Sequence, residues 1–192
     1  MSNQKTSAYH FFSMLLAIIF LCFCAGIKVV AQDEPVKLIN ELPKHLPLKI
    51  EIENADKEDL LGELRIKVTN EGEKPVYYLR FFIEVADVEK TGGLNVAVNL
   101  WFGRQKLGDW DELANEKDVP LKNGESTILK VLESQVKLFN SMPERYGFLK
   151  PKKFRLIFGD LNYGDGTGYH TTGALPYPEK GSDGSPVKSK NN

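Results

Sequence analysis

The sequence predicts a mainly β protein, an antiparallel sandwich of six to seven strands with one or two short helices in its connections. Three observations predict this fold class. Short segments alternate apolar with charged residues, as strands with one buried face do. Clusters of Asn and Gly separate these segments and favour tight turns. The strands do not alternate with long amphipathic helices, and this excludes the parallel-sheet classes.

Residues 1–31 have the composition of a cleavable secretory signal peptide. Lys5 is the one full charge before an uncharged run over residues 11–27, and Val29-Val30-Ala31 supplies small side chains at a cleavage site. The alternative is an uncleaved anchor, because the run reaches the lower limit of roughly 17 residues for crossing a bilayer. We therefore expect an exported protein, periplasmic or secreted, which stays tethered to the membrane if the signal is retained.

Removal of the signal changes the chemistry that remains. Both cysteines, Cys22 and Cys24, leave with it, so the mature chain has no thiol for a disulfide, a nucleophile or a metal. Lys5 and Lys28 also leave, with no acidic residue, so the formal net charge of −1 becomes more negative. An acidic chain argues against a nucleic-acid partner.

Composition divides the mature chain into three parts. Residues 32–43 are polar, contain two prolines and are predicted to be a flexible linker. Residues 44–175 are predicted to form one domain. Residues 176–192 have too little apolar content to join a core, and we expect a disordered tail.

Apolar alternation and turn signals place the elements of that domain. The first two strands, 48–52 and 64–68, alternate apolar and charged residues cleanly. The remaining strands are predicted at 76–85, 94–102, 126–132 and 154–158. Helices are predicted at 109–117 and 134–146, and Pro143 is expected to end or kink the second.

Two turns carry a resemblance to a known fold family. Val68-Thr-Asn-Glu-Gly72 and Leu121-Lys-Asn-Gly-Glu-Ser126 each precede or open a strand, and this pattern resembles the turns of bacterial immunoglobulin-like domains. Segments 43–48 and 161–169 also resemble uncharacterised bacterial exported proteins. The resemblance implies an immunoglobulin-like sandwich, and it implies no known activity.

The sequence contains none of the common catalytic spacings: no G-x-S-x-G, H-E-x-x-H, P-loop or G-x-G-x-x-G. The leading hypothesis is therefore a non-enzymatic exported domain, with a binding or structural role in the cell envelope. Its partner would be a protein or another envelope component. Neither a nucleic acid nor, after signal cleavage, a membrane is expected.

Aromatic residues suggest a binding surface. Tyr78, Phe82 and Trp101 lie opposite the predicted core rows, and Trp110 lies among acidic residues. Such residues could form a stacking surface for sugar rings, which makes a carbohydrate-binding module one alternative. The other interpretation is packing, because a helix over 134–146 would cover the first three. We expect this covering arrangement.

One glycine-rich segment suggests a cation site. Asp160, Asn162 and Asp165 supply oxygen ligands in a stretch rich in glycine, as calcium sites require. The spacing is one residue longer than the opening of an EF-hand loop, and no glutamate closes it. The competing interpretation is a hairpin turn at Asp165-Gly166-Thr167, since Asp-Gly is a strong turn signal. No cofactor other than calcium is suggested.

Overall fold

The computed structural model describes residues 34–109 and 112–178. The predicted signal over residues 1–31 lies outside this part of the chain, as do Trp110 and residues 179–192 of the predicted tail. Within the described part the protein is mainly β, as predicted. Two sheets pack in a sandwich-like arrangement.

Nine strands build the two sheets of the described residues. The smaller sheet has the order β2-β3-β6, and the larger has the order β5-β4-β7-β8-β9 with β1 paired to β7. The strands are β1 Lys37–Asn40, β2 Leu48–Glu53, β3 Arg65–Asn70, β4 Tyr78–Val85, β5 Ala97–Gly103, β6 Ser126–Leu129, β7 Lys153–Asn162, β8 Gly168–His170 and β9 Leu175–Tyr177. The helices are α1 Leu60–Glu63 and α2 Glu133–Tyr146, with 3₁₀ turns at Val88–Thr91 and Gln105–Gly108.

The core lies between the sheets and follows the predicted alternation. In β3, Ile66 and Val68 are fully buried, whereas the neighbouring charged residues Arg65 and Lys67 face outwards. In the larger sheet Phe81 of β4 pairs with Phe158 of β7, and their ring centroids lie 6.2 Å apart. Neither ring has any exposed surface, so this pair lies at the centre of the core.

Strand β7 contains a bulge beside β4. Arg80 pairs with Asp160 but Phe81 pairs with Phe158, so Gly159 is the extra residue. A Cβ atom at Gly159 would lie 2.6 Å from Cε2 of Phe82 and 3.0 Å from the carbonyl oxygen of Arg80. Only glycine leaves room for the Phe82 ring at this point.

Helix α2 confirms the prediction for residues 134–146, but Pro143 does not end it. The helix continues to Tyr146 and ends at Gly147, which has a positive φ of 67°. Its buried residue, Phe139, packs against Phe154 with 6.0 Å between ring centroids. The helix is thus attached to the core side of β7.

Three expectations are corrected by the strands and turns observed. Lys37–Asn40, within the predicted linker of residues 32–43, pairs in parallel with Lys153, Phe154, Arg155 and Leu156. Leu175–Tyr177, at the start of the predicted tail, pairs with β8. Both segments satisfy backbone groups at a sheet edge, which composition alone does not reveal. The helix predicted at 109–117 is absent from the residues of that segment that are described.

Candidate functional site

A cleft of about 550 Å³ lies beside α2 in the described residues. Four segments form it: α1 with the turn that leads into it, the Val88–Thr91 turn, the middle of α2 and the segment over residues 147–152. Its lining comprises Glu58, Asp59, Glu63, Thr91, Phe139, Asn140, Met142, Pro143, Phe148, Leu149, Lys150 and Pro151.

The floor of the cleft is apolar. Phe139 forms its inner end, and a smaller adjoining hollow reaches Leu60, Leu61 and Phe154. These four side chains are buried and belong to the core. The floor is therefore an outward extension of the core, and its shape is set by the packing of α2 on β7.

One side of the cleft, the acidic wall, consists of Glu58, Asp59 and Glu63. Asp59 begins α1, because its carboxylate accepts a hydrogen bond of 3.3 Å from the backbone N–H of Gly62. A Cβ at Gly62 would lie 2.3 Å from Oδ2 of Asp59, so a side chain there would displace the Asp59 carboxylate from its present position. Glu58 and Glu63 are both exposed to solvent.

The lining also carries a cation, Lys150. Nζ of Lys150 lies 3.5 Å from Oε1 of Glu58, and the side chains are 54% and 81% exposed. This ion pair connects the 147–152 segment to the acidic wall. At such exposure it is a weak contact, worth about 0–1 kcal/mol.

A buried carboxylate fixes the 147–152 segment in place. Asp87 is 3% exposed, and it accepts hydrogen bonds from the backbone N–H of Lys152 at 2.9 Å and of Lys153 at 3.3 Å. Nζ of Lys90 lies 3.2 Å from the same carboxylate. The N–H of Leu149 donates to the carbonyl of Lys90 at 2.8 Å.

These contacts set the charge of Asp87. Burial by itself would raise the pKa of this carboxyl group. The N–H groups of Lys152 and Lys153 and the Lys90 ammonium outweigh burial, and the pKa lies below its usual value of 3.8. Asp87 is therefore ionised at neutral pH and holds this side of the cleft to the Val88–Thr91 turn.

The lining offers contact surface and charge rather than a nucleophile. Thr91 is 1% exposed, and its hydroxyl lies 2.9 Å from the carbonyl of Val88 and 2.7 Å from that of Leu94. Both contacts are within the turn. An amphipathic ligand would find apolar surface below and carboxylates at one side.

The aromatic residues named from sequence occupy different environments. Tyr78 is 3% exposed, packs against Gly108 and has a pKa raised by burial. Phe82 and Trp101 are half-buried on the outer face of the larger sheet. The Arg80 guanidinium lies over the Phe82 ring, 5.0 Å from its centroid. Trp110 lies outside the described residues.

Helix α2 does not cover these aromatic residues, so the predicted covering arrangement is wrong. Its buried side chain, Phe139, contacts Phe154, which faces the core on the opposite side of the sheet from Phe82. The 3₁₀ turn at Gln105–Gly108 covers Tyr78 instead.

The three predicted calcium ligands each have another partner. Asp160 accepts a hydrogen bond from Arg80. Asn162 is fully buried, donates to the carbonyl of Leu107 at 2.8 Å and accepts from the N–H of Gly164 at 2.6 Å. The third, Asp165, lies 2.8 Å from Nζ of Lys74. In the part of the chain that is described, no group of three or more His, Cys, Asp or Glu side chains has an arrangement suited to a metal ion.

The hairpin alternative for the same segment is present. Strands β7 and β8 pair from Asp160 to His170, and the N–H of Tyr163 donates to the carbonyl of Thr167 at 2.9 Å. Gly166 has a positive φ of 79°, and Asp165 accepts from the N–H of Thr167 at 2.9 Å. Asp165 thus stabilises the turn.

The cleft itself was not predicted from the sequence. Its residues come from four separate segments, and no local pattern joins them. Two signals were present: the Asp59-x-x-Gly62 start of a short helix, and the apolar Phe148-Leu149 pair in a connection, where polar residues are usual. Neither signal shows that the two segments meet.

Comparison of the chain with protein-family models, curated proteins and solved structures finds no match. No helix among residues 34–109 and 112–178 has the length and hydropathy needed to cross a membrane.

Proposed function

We propose that the protein is an exported, non-enzymatic binding domain of the cell envelope, and that the cleft beside α2 is its binding site. Export is inferred from the composition of residues 1–31. The immunoglobulin-like resemblance of the two turns is compatible with such a domain.

The cleft is the observation that carries the binding role. Its volume of about 550 Å³ lies within the range of roughly 300–1,000 Å³ typical of ligand sites. It also combines an apolar floor with a few polar groups, as such sites do. Two parts of the lining are held before any ligand arrives: α2 through Phe139, and the 147–152 segment through Asp87. Preorganised walls reduce the entropy lost on binding.

Nuclear magnetic resonance with a library of amphipathic fragments tests the binding site. Fragments should shift the amide signals of Phe139, Phe148 and Leu149 more than those of the sheets. Asn140→Trp, at an exposed lining position on α2, should fill the cleft and abolish these shifts. Lys137→Trp is the matched control, because Lys137 is 75% exposed on the same helix and does not line the cleft. If no fragment shifts the lining residues, the proposal is wrong.

Expression of the full chain in a bacterial host tests export. N-terminal sequencing of the protein recovered from the periplasm or medium should begin at Gln32. Recovery of a membrane-bound protein that begins at Met1 would contradict cleavage and support the tethered form.

A second candidate function is carbohydrate binding through Trp101. This residue is half-buried on the outer face of the larger sheet, directly opposite Arg80 of β4. The partly exposed indole offers a stacking surface, and the neighbouring Arg80, which pairs with Asp160, offers a hydrogen-bonding group. The calcium-stabilised structural domain is the third candidate.

A further inference from the structure

We propose that the ligand of the cleft is a basic, apolar segment of a partner polypeptide, with Lys or Arg side chains at the acidic wall and apolar side chains on the floor. This inference rests on the proposed function, because it names the chemical class that the cleft binds.

Charge complementarity is the first argument. The acidic wall contributes three carboxylates, and Lys150 is the single basic residue in the lining. Glu63 is exposed, and its side chain has no hydrogen bond or ion pair within the described structure. The lining therefore carries more negative than positive charge, which attracts an incoming cation. Apolar surface of the floor adjoins the same site.

The Lys150–Glu58 pair is the second argument. The Lys150 ammonium, which belongs to the 147–152 segment, lies 3.5 Å from Oε1 of Glu58 in the acidic wall. The protein thus already places an alkylammonium group against this wall. Since the contact is long and exposed, a ligand cation can replace it at small cost.

The surroundings of the cleft favour a polypeptide over a small amine. Leu149, which lines the cleft, is 67% exposed, and Tyr146 is 63% exposed. The ring of Tyr146 contacts that of Phe148, with 5.5 Å between centroids. These side chains form an apolar ledge beside the floor, and an extended segment with alternating side chains can cover both. Anionic partners such as phospholipid headgroups or nucleic acids would meet repulsion from the carboxylates.

Fluorescence anisotropy with three labelled decapeptides tests the proposal on the exported protein. The first peptide alternates Lys with Leu and Phe. The second replaces every Lys with Glu, and the third replaces every apolar residue with Ser. The first should bind at least tenfold more tightly than either of the others, and its affinity should fall as salt rises from 50 to 500 mM.

Substitutions of charged lining residues should change the affinity in opposite directions for a basic and for an anionic ligand. Glu63→Gln should weaken binding of the basic peptide about twofold to fivefold, whereas Lys150→Met should strengthen it by a similar factor. The matched control is Glu133→Gln, which removes the same charge from an 81% exposed position outside the lining. For an anionic ligand both effects would reverse.

Leu149→Ser tests the ledge without disturbing the core, because the residue is mostly exposed. It should weaken binding severalfold, whereas Val119→Ser, at a 78% exposed position in another loop, should not. Tighter binding to phosphatidylglycerol vesicles than to the basic peptide would overturn the proposal in favour of a membrane surface.

Failure of this inference is distinguishable from failure of the proposed function. If neutral or anionic fragments shift the lining signals while the basic peptide does not, the cleft is a binding site and the ligand class is wrong. If no fragment or peptide shifts them, both proposals are wrong.

Discussion

The Arg80 guanidinium donates a hydrogen bond to the Asp160 carboxylate directly beside the Gly159 bulge of β7. The same guanidinium lies over the ring of Phe82. Because a side chain at position 159 would collide with that ring, the bulge, the ring and the ion pair form one arrangement. Arg80 and Asp160 are 80 positions apart in sequence and are paired across β4 and β7.

Asp160→Asn should destabilise the protein by about 1–3 kcal/mol, because it leaves the Arg80 charge without its partner in a partly buried site. Asp160 itself is 8% exposed. Urea denaturation followed by circular dichroism measures the change. Lys49→Gln is the control, because its ion pair with Glu51 is exposed and should contribute less than about 1 kcal/mol. Equal losses in the two variants would contradict the prediction.

Gly159→Ala should cost about 1–3 kcal/mol, because the new methyl group collides with the Phe82 ring and the Arg80 carbonyl. In the double variant with Phe82→Ala, part of the collision is removed. The stability loss of the double variant should therefore be smaller than the sum of the losses in the two single variants. Gly173→Ala should be nearly neutral, since the nearest atom to its Cβ would be 4.0 Å away. Strict additivity in the double variant would show that the ring does not restrict position 159.

Asp87→Asn should reduce stability most at neutral pH, by about 1–3 kcal/mol. The pKa of Asp87 is lowered in the folded protein, so its contribution is complete above the unfolded pKa of about 3.9 and is lost as the pH falls through the folded value. The difference between wild type and variant should therefore be constant above about pH 5 and shrink below about pH 4. Denaturation curves from pH 2.5 to 7 measure it, and a difference independent of pH would refute the assignment.

Calcium should leave the thermal unfolding midpoint unchanged. Asp160, Asn162 and Asp165 each have a separate protein partner, so an ion would have to break existing contacts to bind them. Melts with 5 mM calcium chloride and with a chelator measure this. A difference of several degrees would restore the calcium-stabilised candidate, and its loss in Asp165→Asn would locate the ion.

Trp101→Ala separates the carbohydrate candidate from the cleft. If sugars bind the outer face of the larger sheet, the variant should lose retention on a panel of insoluble polysaccharides, while Asn140→Trp should keep it. Uniform failure of the wild type to bind would remove the carbohydrate candidate. Retention by both variants would place the sugar elsewhere.

The long strands were predictable because their physics is local. In β3, and from Leu79 to Val85 of β4, buried residues alternate with half-buried ones, so the sequence has a period of two. Strands β1 and β9 were missed because they are short: β1 has four residues and β9 has three, and both lie at edges. Their place depends on backbone pairing with β7 and β8, and side-chain identity says little about that pairing.

The candidate site was harder to predict than the fold. Asp160 and Asn162 looked like metal ligands because their oxygens are close in sequence. In the structure Arg80 donates to the Asp160 carboxylate and the Asn162 amide donates to the carbonyl of Leu107, and both partners come from other segments. Conversely, Glu63 and Leu149 line one cleft, and no local pattern in the sequence indicates that their segments meet. A sequence shows which groups are available, and tertiary packing decides which of them meet.

Strand β7 is the central strand of the larger sheet, and it is also the last long strand of the described residues. A chain that emerges from its N-terminus exposes β1 and β4 well before their shared neighbour exists. The sheet cannot close until residue 162 has emerged, since β4 pairs with β7 along its whole length. For a protein exported as proposed, the larger sheet can therefore close only after the chain has crossed the membrane as far as residue 162.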